Sequence, residues 1–193
     1  MNSSAQQKLA SHEVTIKADS VRLKGVLTIP AGAKGIVLFA HGSGSSRHSP
    51  RNNYVAKTIQ NAGVATLLFD LLTEGEETVD LRTRHLRFDI ELLTRRLADA
   101  ANWVAEQEET EGLRIGFFGS STGGAAALAA AAEIGEKVGA VVSRGGRPDL
   151  AGKALSKVRS PVLLIVGGFD TTVLRLNELA LLKLECEKEL NIV

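Results

Sequence analysis

With one cysteine, Cys186, in 193 residues, an internal disulfide is excluded, and with it a small disulfide-stapled framework. Its expected state is a reduced thiol on a late helix, without a catalytic role. No apolar run reaches the roughly 18 residues that would suggest a membrane-spanning helix. The opening "MNSSAQQKLASHE" lacks the apolar stretch of a signal peptide, so a cytoplasmic location is expected. Charge of one sign is missing too. The formal net charge is +1, which leaves no electrostatic footprint for nucleic acid or for an anionic membrane. No His/Cys cluster suggests a metal. No G-x-x-x-x-G-K-[ST] loop is present, so a nucleotide phosphate cradle is not expected. No repeat and no Pro/Ser-rich linker divides the chain, so residues 1–193 are expected to form one domain.

What is present is 44% hydrophobic and 23% charged, enough apolar material for a sizeable core. "EVTIKA" (13–18) and "VRLKGVLTIP" (21–30) alternate with period two around Asp19-Ser20, which predicts an antiparallel pair. The pattern then changes to short continuous apolar runs: "IVLFA" (36–40), "ATLLFD" (65–70), "RIGFFG" (114–119), "AVVSR" (140–144) and "PVLLIV" (161–166). Strands covered on both faces have this character. Helical patterns are expected at 51–62, 84–107, 122–134 and 173–187. Alternating strands and helices predict a doubly wound, mostly parallel α/β sheet.

In such sheets ligands bind beyond the carboxyl ends of the strands. The segments following the runs should therefore share one rim: 41–51, 71–85, 120–124, 145–149 and 167–172. Within them, "GSSTG" (119–123) fits G-x-S-x-G with Ser121 at its centre. A nucleophile on a sharp strand-to-helix turn leaves no room for side chains two residues either side, which Gly119 and Gly123 satisfy. The N–H of Thr122 then faces the reacting oxygen and can stabilise an oxyanion. Ser120 is off-centre and structural. The glycine turn "HGSGSS" (41–46) offers a second oxyanion donor, the N–H of Ser43. A dinucleotide reading of Gly42-Ser43-Gly44 fails because Arg47 stands where the third glycine belongs. Asp170, downstream of Ser121 in a turn after the last buried run, suits the acid that orients a histidine, and it suits an N-cap equally. Arg144 and Arg147 are candidates to clamp a substrate carboxylate, and Arg82 and Arg84 add cations to the charged loop. The run "TEGEETVD" (73–80) reads as a solvated loop.

From about residue 20 onward, "GIVLFAHGSGSSRHSPRN", "LRIGFFGSSTGGAAAL", "VVSRGGRPDL" and "PVLLIVGGFDTTV" resemble the α/β-hydrolase superfamily, and closely the dienelactone hydrolase-like proteins. The resemblance implies a cofactor-independent hydrolase of a small-molecule ester, lactone or thioester. Ser121 and Asp170 would occupy the catalytic positions. Two departures stand out. True dienelactone hydrolases carry a cysteine nucleophile where this chain has Ser121, so dienelactone itself is not the expected substrate. The family's catalytic histidine lies in a loop after one further strand. That strand begins at "ELNIV" (189–193), while His12, His41, His48 and His85 all precede Ser121. The expectation is a domain lacking its last loop and helix, a poor esterase as it stands, with an uncovered edge open to homodimerisation. Of the four histidines, His41 reads as held by loop hydrogen bonds, His48 and His85 as solvated, and His12 as part of a frayed terminus. The alternative is a non-catalytic binding protein that keeps the hydrolase pocket.

Overall fold

The computed structural model describes residues 9–193. Strands β1 (Leu9–Ala18) and β2 (Val21–Pro30) form the antiparallel pair, turning at Asp19, whose φ is +48°. β1 begins earlier than the expected residue 13. His12 therefore lies within a strand rather than in a frayed end, and its Nε2 is 3.1 Å from Glu109. Beyond the hairpin come β3 (Gly35–Ala40), β4 (Ala65–Phe69), β5 (Arg114–Ser120), β6 (Val138–Arg144), β7 (Val162–Val166) and β8 (Lys188–Ile192). The sheet order is β1-β2-β4-β3-β5-β6-β7-β8, parallel from β4 through β8. The doubly wound expectation is met.

The helices are α1 (Pro50–Asn61), α2 (Glu74–Thr83), α3 (Ile90–Glu106), α4 (Thr122–Ile134) and α5 (Thr171–Lys183). Central strands are covered on both faces. Phe39, Leu67, Phe69, Phe117 and Leu164 are all 1% exposed or less. α4 lies close against the sheet because it presents alanine: Ala125–Ala127, Ala130 and Ala131 are fully buried. Among the described residues, no helix is long and apolar enough to cross a membrane.

The last helix ends at Lys183 rather than 187, so Cys186 lies beyond it and not on a late helix. Two further expectations need correcting. The acidic run 73–80 is not a solvated loop but the start of α2. Thr73 caps it in a box with Glu76, each side chain meeting the other's backbone N–H. That T-x-x-E signal was present in the sequence. The single helix expected over 84–107 is broken. Arg84 adopts φ +57° and ends α2, a short turn spans Leu86–Phe88, and Asp89 caps α3. Leu86 still packs on the core, which is why its apolar spacing looked continuous with α3.

Candidate active site

Ser121 stands between β5 and α4 with φ +51° and ψ −124°, a backbone conformation strained for any residue with a side chain. The neighbouring glycines make this turn sterically attainable. A Cβ at Gly119 would lie 2.3 Å from the carbonyl oxygen of Gly123, and one at Gly123 would lie 2.1 Å from that of Ala40. Gly42 is packed less closely but still tightly: a Cβ there would meet that of Ser121 at 3.0 Å. The turn is thus wedged against the loop that follows β3. Its carbonyl is fixed as well, accepting from the N–H groups of Gly124 and Arg147 at 3.0 Å each.

A cleft of about 400 Å³ opens over this turn, lined by Gly42, Ser43, Ser45, Ser120, Ser121 and Gly145, with Ile165 and Val193 on its apolar side. Four of the five expected rim segments meet here. The fifth, 71–85, borders a small void behind Ser43 instead. The Ser43 hydroxyl lies 3.0 Å from that of Thr122, so the two residues expected to supply oxyanion donors are in direct contact. Thr122 is 2% exposed.

The two arginines singled out together are not brought together. Arg144 lines the cleft, 5.8 Å above the Phe118 ring, and donates to Asn52 Oδ1 at 3.4 Å. Arg147 instead forms a two-pronged pair with Asp149, at 2.9 and 2.8 Å, away from the lining. The second cation of the cleft is Arg51, at the start of α1, which sequence reasoning passed over. Neither Arg51 nor Arg144 pairs with a carboxylate among the described residues. Burial, and then the nearby Arg51 charge, push the Arg144 guanidinium below its ordinary pKa. Only the fold shows that the residue after Pro50 and the end of β6 face each other.

Asp170 is exposed and caps α5, accepting from the Val173 N–H at 3.1 Å. It does not line the cleft, and neither does any of the four histidines. His48 lies in an adjoining groove that shares Ser45 and Ser49 with the cleft. His85 is exposed beside Thr83. β8 runs parallel to β7 and delivers Val193 to the same rim as Ser121.

His41 is 6% exposed and joins two loops: Nδ1 donates to the Gly42 carbonyl at 3.0 Å, and Nε2 accepts from the Leu71 N–H at 3.1 Å. Burial lowers its pKa, partly opposed by the Gly42 carbonyl, Asp70 and Glu77. The folded protein therefore binds this proton less readily than the unfolded chain does. The stabilising contribution is complete above the unfolded value and is lost as pH falls from about 6.5 toward the lower folded value. Melting temperatures of wild type and His41→Gln between pH 7.5 and 5 should diverge in slope, with the wild type falling more steeply. Parallel slopes would remove His41 as the titrating group.

The chain and its fold have close counterparts. The sequence profile of the Dienelactone hydrolase family matches residues 23–187. The chain belongs to that family. A dienelactone hydrolase from Anabaena variabilis is 59% identical and superposes with a TM-score of 0.94, over 96% of this chain and 86% of that one. Est1E from Butyrivibrio proteoclasticus shares only 15% identity, yet its fold matches with a TM-score of 0.75 over 93% of this chain and 88% of its own. The fold is thus that of the α/β hydrolases. Two Mycobacterium tuberculosis proteins, each named a "putative phosphoribosyl transferase", are 55% identical over 180 residues, which is 93% of this chain. The chain spans about 40% of the length of those relatives. The chain thus shares both the family and the fold of hydrolases.

Proposed function

We propose that this domain cleaves a carboxylic ester, lactone or thioester through an acyl-enzyme on Ser121. The observation that carries the reading is the strained φ of Ser121 between glycines that admit no Cβ, at the floor of a cleft. A chain gains no stability from placing serine in such a turn, whereas a nucleophile needs the exposure it gives. Ser121 Oγ attacks the acyl carbon as its proton passes to a base. The carbonyl π electrons move to oxygen, and the N–H groups of Ser43 and Thr122 hold the resulting oxyanion. Collapse re-forms the carbonyl and expels the alcohol or thiol with that proton, and water then hydrolyses the acyl-enzyme. Asp170 is assigned to orient the base that takes the Ser121 proton.

We assign the anionic end of the substrate to Arg144 and Arg51 rather than to Arg144 and Arg147. Two cations without a carboxylate partner among the described residues favour an acidic acyl compound over a neutral one. Arg144→Ala should therefore lower kcat/KM on a succinyl half-ester at least tenfold while changing a neutral acetyl ester less than threefold. Equal losses on both would make Arg144 a packing residue.

Fluorophosphonate treatment followed by peptide mass spectrometry tests the nucleophile. An adduct on Ser121 is expected. A folded protein that acquires no adduct on Ser121, while binding acidic esters without turning them over, would favour the binding-protein reading.

A further inference from the structure

The segment between α2 and α3 does more than connect helices. Asp80, fully buried, accepts from the N–H groups of Leu86 at 2.8 Å and Arg87 at 3.2 Å, and pairs with the Arg87 guanidinium through Nε. Its own carbonyl accepts from the Arg84 N–H at 2.8 Å and from Arg87 Nη2 at 3.3 Å. Burial alone would raise the Asp80 carboxyl, but the Arg87 side chain and the two backbone N–H groups outweigh it and hold it below the usual carboxylate range. The Leu86–Phe88 turn is therefore rigidly fastened.

That turn touches the catalytic loop directly. The Ser43 hydroxyl donates to the Arg87 carbonyl at 3.3 Å. Since its proton is committed there, the 3.0 Å contact with Thr122 is made by the Thr122 hydroxyl donating to Ser43 Oγ. The Arg87 guanidinium also lies over Gly44, where an added Cβ would meet Nη1 at 3.1 Å and where φ is +68°. A continuous chain thus runs from Asp80 through Arg87 and Ser43 to Thr122.

We infer that Asp80 and Arg87 are positioning residues, a latch by which the α2–α3 connection fixes the loop after β3 against the start of α4 and sets the spacing of the two oxyanion N–H donors. The structural part stands on the hydrogen bonds alone, and its catalytic consequence rests on the acyl-enzyme reading above. Donors that drift by about an ångström lose much of their value, because catalysis depends on their being aimed before charge develops.

Two variants test it in the 193-residue chain. Arg87→Met breaks the ion pair and frees the turn, while Ser43→Ala keeps the Ser43 N–H and removes only its hydroxyl link. In Arg87→Met, amide hydrogen exchange at Gly42–Ser45 should accelerate at least tenfold, with β3 and β5 amides unchanged. Turnover of p-nitrophenyl acetate should show kcat lowered about 10–100-fold with KM within twofold in either variant. The double variant should lose little more than the worse single one, since both cut one chain. Unchanged loop exchange in Arg87→Met would overturn the latch. Faster exchange with unchanged kcat, or additive losses in the double variant, would overturn its catalytic role. If wild type acquires no fluorophosphonate adduct on Ser121, the hydrolase reading fails, and the exchange result alone still decides the latch.

Discussion

Ser121→Ala is expected to abolish esterase turnover, with a loss in kcat that can approach about 10⁶-fold where the nucleophile works with a base. Ser120→Ala should cost far less, although both serines line the cleft. Only Ser121 has the backbone conformation that lifts a side chain out of the turn between strand and helix. Ser121→Gly separates chemistry from stability. It should be as inactive as the alanine variant but melt higher than wild type, because glycine accepts φ +51° without strain. The relief should be on the order of 1 kcal/mol. Equal turnover from Ser121→Ala and wild type would end the assignment, and a lower melting temperature for Ser121→Gly would show that the turn is not strained.

Gly123→Ala should be the most damaging small change to the fold. The new methyl would sit 2.1 Å from the Ala40 carbonyl oxygen and 2.7 Å from that of His41, both backbone atoms that no rotamer change can move. Either β3 shifts or α4 lifts from the sheet. The cost should reach about 3 kcal/mol, the upper part of the usual overpacking range. For a chain of this size that is a fall of about 6–12 °C in melting temperature. Gly167→Ala provides the contrast, since a Cβ there meets nothing within 4 Å. Its stability should stay within about 0.5 kcal/mol of wild type. Thermal melts of the two variants side by side decide the point. Similar melting temperatures would mean that the elbow has slack that the packing does not show.

The sequence by itself determined the strands, their layer arrangement and the elbow. Five continuous apolar runs require cover on both faces, and the spacing Gly119–Ser121–Gly123 follows a steric rule that acts within a few residues. Such local constraints are visible in a string of letters. The T-x-x-E box at Thr73–Glu76 is equally local, although the acidic run that carries it resembles a solvated loop. Tertiary structure alone decided which charges meet. Arg147 has its partner two residues away in Asp149, whereas Arg144 faces Arg51 from a segment 93 positions earlier. Asp80 gave no sign of burial, because a carboxylate enters a core only when a specific cation and N–H groups converge on it. Those donors, on Leu86 and Arg87, reach it only because Arg84 turns the chain back with a left-handed φ. Periodicity reports one face of one element. The pairing of two elements' polar groups depends on where the sheet and its connections place them in space.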